Sequence, residues 1–443
     1  MNVTRLSATL AEQAQRAVEL ARAQGADHAE AGASHDEGLS VTVRLGELES
    51  VERQKDRSLG ITVYRGQCKG SASTNDFSAE GISAAIGKAM SIAEFTTADP
   101  CAGLADAERL AVDPPDLDLF HAWELDTPEA EEIARTAEQT ARDYDPRIEN
   151  SEGATVSSGG GVTAYANSNG FVGSYPASSH SIAVSVVAAE NGSLERDYWY
   201  TSARCADDLE SAAETGRRAA ERAVRRLGSR QLETRVTPVL FPPELARSLF
   251  GHFVDAIRGT AQYRRASFLL GAEGEQVFPD WMRIVEDPHI PRAMGSVPFD
   301  GEGVATRPRT LVDGGILQGY VLSSYSARRL GLETTGNAGG VHNLIVEPNA
   351  ESLESLQADC DSVMVVTELL GQGANTVTGD YSRGAAGYWV ENGKIMHPVS
   401  EVTIAGNLND MLRSIRAVGA DVDNRGRIRC GSVLVDGMTV AGQ

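Results

Sequence analysis

The chain has 443 residues, a length that suits two or three domains, and 41% of the residues are hydrophobic, which is enough to form real cores. It carries 40 Lys and Arg against 62 Asp and Glu, so the formal net charge is −22. A balance this acidic disfavours nucleic-acid binding, because a duplex binder must neutralise several phosphates with basic side chains.

The sequence also indicates the compartment. No stretch approaches the roughly 18 consecutive apolar residues of a membrane span, and the amino terminus lacks a basic segment followed by an apolar one. The cysteines are odd in number and widely separated, which argues against a disulfide framework and a zinc ribbon. They are Cys68, Cys101, Cys205, Cys360 and Cys430. We therefore expect a cytoplasmic protein with no membrane and no nucleic-acid partner.

The first elements in chain order are a helix, a set of strands and a second helix. An apolar stripe from Leu6 to Ala21 recurs at helical spacing and predicts a helix that stops at Gly25. Residues 29–73 alternate apolar and polar side chains between glycine-marked turns, which predicts an antiparallel meander. Residues 77–95 return to the helical pattern.

The same order of elements then returns. After a connection at residues 113–126, a helix is predicted over 128–143, strands over 154–200 and a second helix over 207–227. The repeated order indicates an internal duplication rather than a chance succession of elements.

Both copies share a local signal at the second helix. A short acidic segment, at residues 78–80 in one copy and 206–208 in the other, is expected to cap that helix. We expect one amino-terminal α+β domain over residues 1–230, with copies at about 1–112 and 127–230.

The carboxy-terminal part has a different character. A polar linker at residues 228–236 precedes a glycine-rich region, and we expect a second, sheet-rich domain over residues 236–443. Its predicted elements are a helix at 243–259, a hairpin at 310–317 with an Asp-Gly turn, a strand at 362–370, a hairpin at 388–396 turning at Glu391-Asn392-Gly393, and a helix at 407–418.

The usual catalytic motifs are incomplete. Residues 81–88 resemble a phosphate-binding loop but have one residue too many between the glycines, and Ala89 replaces the hydroxyl residue that would hold magnesium. Residues 379–384 come near a nucleophile elbow, yet Asp380 occupies a glycine position. The eight histidines form neither HExxH nor HxxEH. His252 falls on the apolar face of the predicted helix, where a hydrogen-bonded core histidine is a simpler interpretation than a metal ligand.

Several runs resemble one family. They are LSSYSARRLG at 322–331, GNAGGVHN at 336–343, GDYSRGAAG at 379–387 followed by WVENG at 389–393, and SEVTIAGNL at 400–408. These runs are similar to the TldD/PmbA metallopeptidase family, once called modulator of DNA gyrase, and within it to the PmbA, or TldE, branch. The similarity extends through nearly the whole chain.

The resemblance implies a cytoplasmic peptidase assembly. In the family a TldD-type subunit holds zinc with an HExxxH helix and a downstream cysteine, and a TldE-type subunit pairs with it. The family is linked to processing of microcin precursors and to degradation of an unfolded antitoxin. We therefore expect this chain to pair with a TldD-type catalytic subunit and to handle unfolded peptides, with a homodimer as the other assembly.

The chain departs from the zinc-binding pattern. If His252 is taken as the first ligand, Phe253 occupies the general-base position and Ile257 the position of the second ligand. Zinc catalysis needs about three protein ligands and a nearby carboxylate, and these side chains supply neither. Cys430 resembles the position of the ligand cysteine but could not hold zinc alone. We expect no catalytic residue and no metal or other cofactor on this chain, with zinc in the partner subunit.

Contacts with substrate or partner are expected in the glycine-rich loops, where polar residues often bind. The candidates are His342, Asp380, Tyr381 and Arg383. Glycine-rich turns at 369–373 and 379–387 suit a peptide added as a strand to a sheet edge, and suit equally well tight turns within the sheet. Two alternative functions stay open: a self-sufficient metallopeptidase with an unrecognised site, and a stand-alone peptide-binding scaffold.

Overall fold

The computed structural model describes residues 2–442, and its amino-terminal half contains two units with the same order of elements. The first unit comprises α1 (Val3–Ala23), β1 (His28–Arg44), β2 (Glu47–Arg65), β3 (Cys68–Thr74) and α2 (Ala79–Phe95). The second comprises α3 (Thr127–Asp143), β4 (Ile148–Asn167), β5 (Val172–Glu190), β6 (Ser193–Ala203) and α4 (Ala212–Arg225). The predicted α+β class with its duplicated helix–strands–helix half is confirmed.

The two units share one antiparallel sheet. Its strand order is β3-β2-β1-β4-β5-β6, so the first strand of each unit forms the central pair. The odd-numbered residues of β1 contribute to the cores under both helix pairs, which places all four helices on the same face of the sheet. At one edge, β3 pairs only with residues 59–65 of β2. Residues 47–58 therefore form an open strand edge within the described chain.

Small residues bring the helices close to their neighbours. A Cβ atom added at Gly70 of β3 would lie 2.0 Å from the carbonyl oxygen of Ala89 in α2. One added at Gly216 of α4 would lie 2.1 Å from the carbonyl oxygen of Ala137 in α3. Each unit therefore depends on a glycine that permits direct contact between backbones.

The carboxy-terminal part is rich in strands. Its helices are α5 (Pro243–Ile257), α6 (Gly259–Tyr263), α7 (Ser324–Leu330), α8 (Leu353–Ala358) and α9 (Leu408–Arg413). Its strands are β7 (Arg235–Phe241), β8 (Ile284–Glu286), β9 (Arg309–Asp313), β10 (Ile316–Leu317), β11 (Leu344–Val346), β12 (Ser362–Leu370), β13 (Asp380–Glu391), β14 (Lys394–Asn407), β15 (Ile415–Val418), β16 (Ile428–Arg429) and β17 (Val433–Ala441).

These strands form two sheets around a common core. The larger sheet has the order β14-β13-β12-β7-β17-β15, and β14 also pairs with β17, so five of its strands close on themselves. The smaller sheet has the order β10-β9-β8-β11-β16. The main hydrophobic core takes residues from both sheets and from α5. This helix is therefore buried along one side and is the element around which the carboxy-terminal part is built.

Three local predictions were wrong. The helix predicted over 407–418 ends at Arg413, and the residues after Ser414 form β15, which pairs with β17. The helix predicted from residue 207 starts at Ala212, where the Ser211 side chain caps it, and residues 206–208 form a single 3-10 turn. The 310–317 hairpin turns at Gly314-Gly315, both with positive φ, and not at Asp-Gly.

Contacts between the two parts are extensive. The ring of Phe171 in the segment before β5 packs edge-on against Phe299 with centroids 5.0 Å apart. The Tyr325 hydroxyl of α7 donates to Asp99 Oδ2 at 2.7 Å.

The division of the chain into two domains near residues 230–236 stays a prediction. Across residues 2–442, no helix combines the length and the apolar character that crossing a bilayer requires.

Candidate functional site

The helix α5 positions the candidate site. It begins at Pro243, whose fixed φ suits a first helical position. Its apolar residues recur at helical spacing, so Phe250, Phe253 and Ile257 face the core, each with no exposed surface. The rings of Phe253 and Phe278 meet edge-on with centroids 4.9 Å apart. The helix stops at Ile257 because Arg258 adopts an extended conformation, with φ −63° and ψ 137°.

The opposite face of α5 lines a small cleft. The cavity has a volume of about 180 Å³ and lies between α5, the glycine-rich loop of residues 336–343 and β16. From α5 it receives Gly251, Val254 and Asp255, and the residue that follows the helix, Arg258, also lines it. Asp255 Oδ1 lies 3.4 Å from Arg258 Nε, so the only carboxylate that α5 presents to the cleft lies beside a guanidinium.

A buried carboxylate holds the glycine-rich loop in place. Glu286 Oε1 accepts the backbone N–H of His342 at 2.6 Å and the side-chain amide of Asn337 at 2.8 Å. Its other oxygen accepts Arg309 Nε at 2.8 Å. With these anchors set, Gly339 and Gly340 adopt positive φ values of 108° and 112° at the cleft. A Cβ atom at Gly340 would lie 3.4 Å from Arg258 Nη2, the terminal group of a side chain that lines the same cleft.

His342 serves the loop and not the cleft. It is 5% exposed, and its Nε2 atom lies 3.2 Å from the carbonyl oxygen of Gly336. Burial lowers the pKa of His342, so the neutral imidazole is favoured. A neutral ring that donates to the carbonyl of its own loop is suited to fixing the loop conformation.

A second group of polar side chains lies beside α5. His252 and Tyr381 of β13 meet edge-on with ring centroids 6.2 Å apart. His252 Nε2, the Tyr381 hydroxyl and Arg383 Nε are buried with no hydrogen-bond partner in the described chain. Burial lowers the pKa of His252 and raises the pKa of Tyr381 to about 12, with the Arg383 guanidinium opposing the second shift. Buried polar atoms without a hydrogen-bond partner cost free energy. This cluster therefore differs from the apolar packing around it and calls for an explanation.

The four predicted contact residues are thus divided. Tyr381 and Arg383 lie together beside His252, whereas Asp380 is exposed and accepts the Thr378 hydroxyl at 2.7 Å. The prediction that His252 is a hydrogen-bonded core residue is wrong. Its ring is only partly buried, and its Nε2 atom has no hydrogen-bond partner within residues 2–442.

The glycine-rich turns of β12 and β13 pack against their own chain. A Cβ atom at Gly373 would lie 1.6 Å from the Ser382 carbonyl oxygen, and one at Gly387 would lie 1.9 Å from that of Val365. These glycines therefore serve tight contacts within the sheet, which is the second of the two interpretations that the sequence allowed.

Cys430 lies far from His252. It has no exposed surface, and its Sγ atom lies 4.0 Å from the carbonyl oxygen of Pro243, at the first turn of α5. His252 is nine residues further along this helix, which corresponds to about 13 Å along the axis. Zinc bonds of about 2.0 to 2.3 Å cannot join the two side chains. Burial also raises the pKa of Cys430, which opposes formation of the thiolate that zinc requires.

The donor set around α5 does not fit zinc. Within residues 2–442, no group of three His, Cys, Asp or Glu side chains lies close enough to hold a metal ion. The cleft instead contains the guanidinium groups of Arg258 and Arg427. Two positive charges with one paired carboxylate disfavour a divalent cation at this position.

The residues that sequence reasoning missed are Gly251, Asp255 and Arg258. The signal that could have found them is helical phase, because positions 251, 255 and 258 lie opposite Phe253 and Ile257 on a helical wheel.

Comparison with known proteins agrees with this architecture. Three stretches match the family descriptions PmbA/TldA metallopeptidase domain 1, central domain and C-terminal domain, at residues 29–93, 120–227 and 234–442. The chain is 49% identical over 434 residues to Metalloprotease PmbA of Escherichia coli O157:H7, covering 98% of this chain and 96% of that protein. It is 47% identical to the Metalloprotease PmbA homolog of Haemophilus influenzae, covering 96% and 94%.

Solved structures resemble the whole chain. A crystal structure from Bacteroides thetaiotaomicron, named as a candidate modulator of DNA gyrase, is 28% identical with a TM-score of 0.92 and covers 98% of both chains. TldE from Thermococcus kodakarensis has the same fold, with a TM-score of 0.81 at 19% identity, covering 96% of this chain and 99% of that one.

Proposed function

Since the chain belongs to the PmbA/TldA metallopeptidase family, we propose that it is a TldE-type, non-catalytic partner of a zinc-bearing TldD-type subunit. Together the two subunits would degrade or process unfolded peptides in the cytoplasm. Microcin precursors and an unfolded antitoxin are the substrate types we would test first.

The cleft face of α5 is the observation that carries the proposal. A zinc peptidase needs imidazole and carboxylate ligands, whereas this face presents Gly251, Val254 and Asp255, followed by Arg258 just after the helix. Phe253 and Ile257 lie in the core, so no small rotation of the helix would replace these groups with ligands. Hydrolysis of a peptide bond by this chain alone would have to use other chemistry.

The glycine-rich loop suggests what the chain contributes. Gly339 is exposed beside the cleft, and an extended peptide is commonly held by backbone hydrogen bonds. A subunit that supplies such a surface can hold a peptide while its partner supplies the metal. Tyr381 and Arg383, next to α5, stay proposed contacts for the substrate or the partner.

The decisive test compares the chain alone with the chain paired to a TldD-type subunit from the same cell. We expect well below one equivalent of zinc and no peptidase activity for the chain alone, and chelator-sensitive cleavage of an unfolded peptide by the pair. About one equivalent of zinc with activity in the lone chain would support the self-sufficient enzyme. Failure to co-purify with any TldD-type subunit would support the stand-alone scaffold.

A matched pair of glycine variants tests the loop. We expect Gly340→Ala to lower cleavage by the pair without preventing assembly, because the added methyl group approaches Arg258 at the cleft. Gly25→Ala is the control, since Gly25 has a similar positive φ of 97° but no atom within 4 Å of an added Cβ. Equal losses of activity in both variants would attribute the effect to backbone strain and not to the cleft.

A further inference from the structure

The largest cavity that we describe lies between the two parts of the chain and is separate from the α5 cleft. Its volume is about 540 Å³, within the range of small-molecule sites. One wall comes from β6 and the residues that follow it, and the other comes from the start of α5 and residues 421–429. Ile290, Pro291 and Met294 add an apolar side.

Most carboxylates in this cavity are already engaged. Glu244 pairs with Arg222 at 2.7 Å, and Asp423 pairs with Arg425 at 2.9 Å. Glu210 Oε2 accepts the indole N–H of Trp199 at 2.9 Å. Asp421 accepts the hydroxyl and the backbone N–H of Ser432, and Asp208 is exposed at the rim.

Two arginines of the cavity lack a carboxylate. Arg204 donates from Nη1 to the Ser178 carbonyl oxygen at 2.8 Å and from Nη2 to that of Met294 at 3.0 Å, while its Nε is buried with no partner. Arg429 donates from Nε to the Asn424 amide oxygen at 2.9 Å. Neither forms an ion pair within residues 2–442, although the chain as a whole has a large excess of acidic residues.

The two arginines also share an electrostatic environment. Burial lowers the pKa of both Arg204 and Arg429; the nearby guanidinium of Arg427 adds to the shift at Arg204, whereas the Asp287 carboxylate opposes the shift at Arg429. The other arginines of the described chain whose pKa is shifted have it raised by carboxylate neighbours, as at Arg222 and at Arg425 of the same cavity. A partly buried guanidinium without a direct carboxylate partner is a group that a bound anion would stabilise.

We propose that this cavity binds the oxyanion group, carboxylate or phosphate, of a ligand whose body fills the rest of the space, with Arg204 and Arg429 as its anchors. Guanidinium forks match the planar oxygens of a carboxylate and the oxygens of a phosphate equally well. The volume exceeds what a bare ion needs, so the anion is part of a larger molecule. This inference does not depend on the peptidase role.

The test measures binding to the full chain by calorimetry in a phosphate-free buffer. The probes are inorganic phosphate, N-acetyl-trialanine with a free carboxylate, and the same peptide as its amide. The variants are Arg204→Gln and Arg429→Gln. Arg292→Gln is the control, because Arg292 lines the same cavity but already pairs with Asp118 at 2.6 Å. Thermal unfolding of each variant checks that it is folded.

We expect saturable binding of at least one anionic probe, weakened roughly tenfold or more by each of the two variants and little changed by the control. Preference for the free peptide acid over its amide would assign the oxyanion to a chain end, and binding of phosphate alone would assign it to a phosphorylated ligand. Arg204 also donates to two carbonyl oxygens, so Arg204→Gln could unfold the protein. In that case the binding measured for Arg429→Gln alone decides the test. Absence of binding, or binding unchanged in Arg429→Gln, would overturn the proposal.

Discussion

The two parts of the molecule pack helices in opposite ways. In the amino-terminal half, Gly70 and Gly216 allow a helix backbone to touch its neighbour directly, and the helix cores consist largely of alanine. In the carboxy-terminal part, α5 buries large side chains such as Phe250 and Phe253 on one face. Small residues therefore let the duplicated units pack backbone against backbone. A helix with one apolar and one polar face, such as α5, can instead anchor a core and still present polar groups to a cleft.

The largest effect on stability is expected when polar residues are placed on the core face of α5. We expect Phe253→Glu combined with Ile257→His to lower the free energy of unfolding by about 5 kcal/mol or more, because both positions are fully buried. Chemical denaturation and expression level would measure the loss. No zinc-dependent activity should appear, since ligand orientation needs supporting hydrogen bonds that the core does not supply.

The matched control places the same residue types on the cleft face. Gly251→Glu with Asp255→His should change stability by less than about 1 kcal/mol, because residue 255 is exposed and an added Cβ at Gly251 meets only Ile428 at 4.0 Å. A stable core-face variant, or an unfolded cleft-face variant, would show that we have assigned the two faces of α5 wrongly.

A second prediction tests the backbone contact in the amino-terminal half. Gly216→Ala should destabilise the protein by about 1 to 3 kcal/mol, since the added methyl group would overlap the Ala137 carbonyl oxygen at 2.1 Å. Gly87→Ala in α2 is the control, because nothing lies within 4 Å of its added Cβ. That change should stabilise the protein by about 0.5 to 1 kcal/mol through helix propensity. Similar midpoints of thermal unfolding for the two variants would contradict the packing described.

A third prediction concerns the polar cluster beside α5. Tyr381→Phe removes a buried hydroxyl that has no partner in the described residues, so it should leave stability unchanged or raise it by about 1 kcal/mol. Urea denaturation would measure the difference. A clear loss of stability would mean that a bound molecule or ion satisfies this hydroxyl, which would strengthen its assignment as a contact residue.

The smallest effect we expect is a pH dependence. Burial lowers the pKa of His252 from its usual 6.5, so the folded state disfavours the proton that the unfolded state takes up. Its contribution to stability is therefore fully present above pH 6.5 and is lost as the pH falls. Burial raises the pKa of Asp300 to about 7. Its contribution to stability therefore has the opposite pH dependence and is lost as the pH rises.

A variant isolates the histidine contribution. We expect the urea midpoint of His252→Phe to fall less steeply than that of the parent protein between about pH 7 and pH 5.5, since only the imidazole term differs between them. Identical pH profiles would show that the His252 ring is not held in its neutral form.

The sequence predicted those parts of the fold that depend on local periodicity. The helix–strands–helix order is visible because buried residues recur at helical or alternating spacing in segments such as α1. The prediction of a helix over residues 407–418 was wrong because of a tertiary contact. Leu408, Met411, Leu412 and Ile415 fit helical spacing, yet pairing with β17 draws the residues from Ile415 onward into a strand.

The candidate site was only partly predictable. Tyr381 and Arg383 could be proposed because they lie in a glycine-rich run, but their contact with His252 depends on how β13 packs against α5. His342 and Glu286 are far apart in sequence, so the anchoring of the loop could not be read from either segment alone. The cavity with Arg204 and Arg429 likewise forms only where the two parts of the chain meet.

The open edge of β2 has a consequence for behaviour at high concentration. Residues 47–58 present the kind of unpaired edge to which a strand of a neighbouring molecule adds when fibrous aggregates form. Their sequence, ELESVERQKDRS, is dense in charged side chains, which a second copy laid alongside would have to crowd together and partly desolvate. The charged side chains of this segment thus keep a long stretch of unpaired backbone from becoming a template for strand addition.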